Sequence, residues 1–197
     1  FPADSDQPDD LLKNADMALY EAKKKSRGTY RFFDADMNLW AQARRTMAVE
    51  LRDAVFGDGL ELHFQPMVST SNGAMAGVEA LVRWPHPQRG MIPPETFIRA
   101  AETSGTIVPL GAWVLRTACQ QMTKWRAVGL PPISVSINLS PIELRQANFA
   151  QSVRRVLDAA GIDPLLIEFE ITENVVMENA DSCIKTMRAL QEIGDRK

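Results

Sequence analysis

The chain is expected to fold as an α/β protein, part of a (β/α)8 TIM-like barrel, preceded by a helix-strand remnant and a linker helix. Three observations predict this. After Gly59 the apolar period changes from helical to two; strand and helix signals then alternate to the C-terminus; and the helix ends carry capping residues. Alternating strands and helices imply parallel strands joined by right-handed crossovers. A complete barrel of this kind takes about 250 residues, and the stretch after Gly59 is roughly half of that.

Residues Pro8 to Arg27 read as the first helix, with Leu12, Ala15, Leu19 and Ala22 on one stripe and Gly28 as its stop. An aromatic strand is expected over Thr29 to Phe33. Alone, this pair has no second layer to pack on. A second helix runs from about Asp36 to Phe56 and is closed by Gly57-Asp58-Gly59. It reads as a linker or a dimerising helix, and an exposed stripe containing Trp40 and Met47 would favour a partner helix.

From Leu60 to Gln65 apolar and polar residues alternate, and Ser69 to Gly73, with its Asn72-Gly73 pair, turns the chain into a second strand from Met75 to Trp84. Helices are expected at about Pro94 to Thr103, Val108 to Val128, Phe149 to Ala160 and Ala180 to Ile193. Strands are expected at Ile133 to Leu139 and Leu165 to Thr172. Ser140-Pro141-Ile142-Glu143 matches a capping box with Pro at N1, and Gly161 ends the next helix, before Asp163-Pro164. Both chain ends read as interrupted: Phe1-Pro2 lacks an initiator Met, and Asp195-Arg196-Lys197 points towards a further strand.

With 197 residues, a net charge of −3 and 45% hydrophobic residues, the chain has the make-up of a globular protein without the basic excess that nucleic acid or an anionic membrane requires. Lys23, Lys24 and Lys25 read as a solvated helix end. Cys119 and Cys183 lack a metal-ligand spacing, which makes a reduced, cytoplasmic compartment the expectation. No apolar run approaches the roughly 20 residues of a membrane span, so any anchor would lie upstream.

In a parallel sheet or barrel the chemistry gathers at the C-terminal ends of the strands. The strand Met75 to Trp84 places Glu79, Leu81 and Arg83 on one face; the next places Ser134, Ser136 and Asn138; the last places Glu168, Glu170 and Thr172. Two carboxylates and an amide oxygen form a hard-oxygen set suited to Mg²⁺ or Mn²⁺. A purely structural account pairs Glu79 with Arg83 and lets Asn138 cap the turn at Ser140. Either pairing alone needs no site, whereas three oxygen donors at corresponding strand ends favour one. His63 and His86 read as surface or packing residues.

Glu79-Ala80-Leu81-Val82-Arg83-Trp84 resembles the signature of the EAL family of cyclic di-GMP phosphodiesterases. Phe64-Gln65-Pro66, Asn138-Leu139-Ser140, Glu170-Ile171-Thr172-Glu173 and the segment Pro94 to Ile107 are similar to further motifs of that family, in the same order. The resemblance covers Leu60 to Lys197 and implies a barrel whose first strand is antiparallel. It implies Glu79, Asn138 and Glu170 as metal ligands, Glu79 as catalytic, Gln65 and Arg83 as contacts to the dinucleotide, and Glu173 as the residue steadying a catalytic loop. Leu11 to Lys23 is similar to the last helix of a GGDEF diguanylate cyclase domain. The implied organisation is residues 1–33 as the end of a GGDEF domain, 34–58 as a linker helix and 59–197 as the first half of an EAL domain.

The implied activity is two-metal hydrolysis of cyclic di-GMP to pGpG by the parent protein, itself expected to be a homodimer. The family's paired aspartates and its later lysine, glutamate and glutamine do not occur in this chain, so by itself it is expected to be inactive. Half a barrel is also expected to leave an unpaired strand edge and an uncovered apolar interior, and hence to self-associate. Two alternatives compete: a module that binds cyclic di-GMP without cleaving it, and a barrel glycosidase using Glu79 and Glu170. The latter explains neither Asn138 nor Arg83.

Overall fold

A computed structural model describes residues 7–25, 28–171 and 180–195. The chain divides into two compact units, Phe1–Val49 and Glu50–Lys197.

In the first unit, α1 spans Pro8–Lys25 and α2, Ala35–Phe56, begins. Of the expected apolar stripe on α1, Ala22 alone is buried. Asn14, Ala18 and Ala22 are buried, while Leu12 and Leu19 are 67% and 51% exposed. Residues 29–33 lie along α1 and line an apolar groove with Leu11, Ala15 and Leu19. They do not form the expected strand, because among the described residues they have no strand to pair with. Tyr30 and Phe32 instead pack edge to face at 5.5 Å while remaining largely exposed.

The second unit is the α/β body. Its strands are β1 (Glu61–Val68), β2 (Met75–His86), β3 (Gly90–Ile92), β4 (Val135–Asn138) and β5 (Ile167–Glu170). Between them run α3 (Pro94–Ser104), α4 (Ile107–Ala127), α5 (Pro141–Leu144) and α6 (Phe149–Ala160), and α7 (Ala180–Asp195) follows. The sheet order is β1-β2-β4-β5, with β3 pairing to the end of β2. β1 is antiparallel to β2, and β2, β4 and β5 are mutually parallel.

The hairpin turn is built as the Asn-Gly pair predicts. Gly73 has φ 70, Ala74 N–H donates to Asn72 Oδ1 at 3.0 Å, and Gly73 N–H donates to the Ser69 carbonyl at 2.8 Å. The short β3 was not expected; only its pairing with Trp84–His86 makes three residues a strand. Leu165 was expected in a strand but lies in a 3-10 turn, Pro164–Leu166, whose Asp163 side chain accepts from Leu165 N–H at 3.0 Å.

Alternation sorts the sheet into two faces. Phe64, Ala80, Ile137 and Phe169 lie side by side on one, with Val78, Val135 and Ile167 in the next row. This face meets the helices. Phe64 packs edge to face on Trp125 of α4 at 4.9 Å, Trp84 on Phe97 of α3 at 5.7 Å, and Phe149 of α6 on Phe169 at 5.9 Å. On α4 the buried residues Ile107, Leu110, Val114, Ala118 and Met122 recur at helical spacing.

The uncovered face is therefore the polar one, contrary to the expectation of a bare apolar interior. Gln65, Asn138, Glu168 and Glu170 are exposed on it. The apolar groove lies on the other side of β5, where Val153, Leu157, Ile167 and Phe169 face Met187 and Leu190 of α7. Leu144, fully buried with Leu139 and Cys183, closes the body behind the end of β4. Replacing Leu144 by Ala is expected to destabilise the protein by about 2–5 kcal/mol in urea unfolding, whereas Leu130→Ala, at a position 46% exposed, is expected to change it by about 0.5 kcal/mol or less.

Candidate functional site

The polar face is organised by strand register. Gln65 pairs with Glu79, Glu79 with Ser136, and Ser136 with Glu168, so these four form one row across β1, β2, β4 and β5. One step nearer the C-terminal rim, Asn138 pairs with Glu170. The rows are linked by a hydrogen bond from Asn138 Nδ2 to Glu79 Oε1 at 2.7 Å. Leu139 N–H donates to the Glu170 carbonyl at 2.9 Å, tying the end of β4 to β5. Asn138 is thus hydrogen-bonded to Glu79 and stands opposite Glu170 in the ladder.

The purely structural pairings are not formed. No ion pair joins Glu79 to Arg83 among the described residues. Arg83 Nη1 donates instead to the Val82 carbonyl at 3.0 Å, and the residue sits opposite Glu61 of β1, half-buried at the far end of the hairpin. The cap at Ser140 is supplied by Ser140 and Glu143, not by Asn138. Glu173 and Thr172 lie outside the described residues.

The donor set fits a hard divalent cation. With the Asn138 N–H turned to Glu79 Oε1, the amide oxygen of Asn138 and the second carboxylate oxygen of Glu79 have no side-chain partner among the described residues. No third His, Cys, Asp or Glu completes a cluster among those residues, so further oxygens must come from water, ligand or other segments. Cys119 and Cys183 are both buried and free, and burial pushes the Cys119 thiol up to about 11, which makes it unreactive.

Several polar residues had no role in the sequence reading. Ser134 Oγ donates to Glu168 Oε1 at 2.8 Å, and Ser136, fully buried, has an Oγ without a partner. His86, which was expected at the surface or in packing, is buried: its Nδ1 accepts from Gln88 and Arg89 N–H, and its Nε2 faces Glu50 Oε2 at 3.4 Å. Arg89 reaches the same carboxylate at 3.1 Å. Behind the site, Glu143 is buried, and its Oε2 accepts from Ser140 N–H at 3.1 Å. Burial pushes this carboxyl up to about 7; the bond from Ser140 opposes the rise, and the nearby Glu102 adds to it. Only the capping box Ser140–Glu143 was legible beforehand.

The fold defines the class. The EAL domain profile matches residues 48–196, and the chain belongs to the EAL domain family. It is 39% identical over 194 residues to the bifunctional diguanylate cyclase/cyclic di-GMP phosphodiesterase MucR of Pseudomonas aeruginosa, covering 98% of this chain and 28% of that protein. It is 35% identical over 184 residues to the cyclic di-GMP phosphodiesterase PdeR of Escherichia coli, covering 93% and 28%. The solved PaMucR phosphodiesterase in complex with c-di-GMP superposes with a TM-score of 0.71 at 39% identity, over 76% of this chain and 60% of that one. The EAL enzyme Bd1971, bound to cAMP and cyclic di-GMP, shares the fold at TM-score 0.73 and 22% identity, over 98% and 50%. The chain spans roughly a quarter of the length of the curated relatives it matches. No helix among the described residues is long and apolar enough to cross a membrane.

A carboxyl whose folded pKa is raised holds its proton more tightly in the native state, so its stabilisation is complete at low pH and is lost as pH rises to about 7. Wild-type stability is expected to fall by up to about 3 kcal/mol between pH 4.5 and 8 through Glu143. Glu143→Gln keeps an acceptor for Ser140 N–H and is expected to remove that slope, as read by urea unfolding across pH.

Proposed function

We propose that the parent protein hydrolyses cyclic di-GMP to linear pGpG with Mg²⁺ or Mn²⁺, and that Glu79, Asn138 and Glu170 hold the cation. The observation that carries this reading is that Asn138 and Glu170 stand paired at the C-terminal rim of β4 and β5, with Asn138 hydrogen-bonded to Glu79 of β2. It is supported by family membership and by the cyclic di-GMP named for MucR and PdeR.

A divalent cation at this rim supplies Lewis-acid activation of water and of the phosphoryl oxygens. The chain's own residues orient. Asn138 N–H fixes one oxygen of Glu79, which leaves the amide oxygen of Asn138 and the second oxygen of Glu79 available to a cation. Gln65, exposed directly opposite Glu79, offers amide donors and acceptors to a guanine base or a phosphate. Arg83 contributes a guanidinium whose fork of donors suits a phosphodiester. Glu173 is assigned the loop-steadying role.

In the same reading, residues 1–33 belong to a GGDEF domain and 34–58 to a linker helix leading into the EAL domain at 59–197. The similarity of Leu11 to Lys23 to the last GGDEF helix and the bifunctional name of MucR support it. Phe56, exposed on α2, supports homodimerisation of the parent. The segment is assigned to the cytoplasm.

The specific alternative is a receptor that binds cyclic di-GMP without cleaving it. With the full-length protein, hydrolysis is expected in Mg²⁺ or Mn²⁺, to be abolished by EDTA, and to fall about 100-fold or more in Glu79→Gln and Glu170→Gln. Calorimetric binding of cyclic di-GMP with no pGpG formed establishes the receptor instead. Hydrolysis of cyclic di-GMP that survives EDTA defeats the metal reading, and cleavage of a glycoside in its place, unaffected by EDTA, favours the glycosidase-type carboxylate pair.

A further inference from the structure

The residue two positions beyond Asn138 is held more firmly than a helix cap requires. Ser140 Oγ donates to Glu102 Oε1 of α3 at 2.8 Å and accepts from Ile142 N–H at 3.3 Å. Ser140 N–H donates to Glu143 Oε2 at 3.1 Å. Two of these bonds, to Ile142 and Glu143, are the capping box of α5, a single turn of four residues; the bond to Glu102 lies outside that cap. Here two carboxylates are drawn to one serine, and one of them, Glu143, is only 5% exposed. It fits because position 111 in α4 is Gly: a Cβ there would collide with Glu143 Oε1.

Burying a carboxylate next to a second one is unfavourable. Stability of a one-turn helix does not account for it, whereas immobilising the strand end that carries Asn138 does. On its other side that strand end is tied by Leu139 N–H to the Glu170 carbonyl. Asn138 thus stands between a clamp at Ser140 and a lock to β5, with its own N–H on Glu79.

We propose that Ser140, clamped by Glu102 and Glu143, is a positioning residue for Asn138, fixing its amide against Glu79 and towards the cation. This inference rests on the metal reading given above. Neither Glu102 nor Glu143 lies on a strand of the polar face; both act through the loop that follows β4. Groups of this kind commonly change metal affinity 10- to 100-fold.

The test is Mn²⁺ binding to the full-length protein, followed by calorimetry at a temperature where circular dichroism shows each variant folded. Glu102→Leu and Ser140→Ala are expected to weaken Mn²⁺ binding about tenfold. Glu102→Gln and Ser140→Thr, which keep the acceptor and the hydroxyl, are expected to restore it to within about threefold. Folded leucine and alanine variants that bind as wild type overturn the inference, and so does a Gln variant as weak as the Leu variant. If the two disruptive variants do not fold, Glu102→Asp, which shortens the arm by one methylene, decides: weakened binding supports the clamp and unchanged binding overturns it. Wild type that binds Mn²⁺ no better than Glu79→Gln removes the metal reading and this inference together. Wild type that binds, with loss in Glu79→Gln, leaves that reading intact whatever the clamp variants show.

Discussion

The in-register pairing of β2, β4 and β5 is the constraint on which the rest depends. Side chains alternate between faces along a strand, so a slip of one residue in either ladder would send Glu79, Asn138 or Glu170 to the opposite face. The ladder sets Glu79 against Ser136 and Asn138 against Glu170, and the apolar row of Phe64, Ala80, Ile137 and Phe169 holds it there. Burial of that row against α4 and α6 makes any slip expensive, because it would expose the core and bury carboxylates. Packing on one face thus positions chemistry on the other.

The two faces also differ in how they are completed. The helix-facing side is closed by aromatic contacts from α3, α4 and α6. The polar side carries Gln65, Glu168, Asn138 and Glu170 in the open, joined by a few directed hydrogen bonds, Asn138 to Glu79 and Ser134 to Glu168. Such a surface suits a polar ligand or ion more than an apolar partner. It accords with membership of a family whose solved member PaMucR is seen in complex with c-di-GMP.

Around this sheet the tertiary contacts concentrate at strand ends. The terminus of β4 donates hydrogen bonds in three directions, from Leu139 N–H, Ser140 N–H and Ser140 Oγ. The terminus of β2 is extended by β3 and met by Glu50 of α2 through His86 and Arg89. Loops that carry function are held by a rigid scaffold, and here the ends of β4 and β2 are held through buried Glu143 and buried His86 with their partly exposed carboxylate partners. That is an unfavourable use of carboxylates unless the geometry matters.

The sequence by itself determined the α/β order, the Asn-Gly hairpin, the capping box at Ser140 and the face shared by Glu79, Asn138 and Glu170. Each is local: a period, a turn dipeptide, a cap, read over a few residues. Only the tertiary structure decided that β3 pairs with β2, that residues 29–33 form no strand, that Leu12 and Leu19 of α1 stay exposed while Asn14 and Ala18 are buried, and that Glu102 reaches Ser140 across 38 positions of chain. Those outcomes depend on which partner is present in space, and pairing between distant segments leaves no periodic trace in the chain.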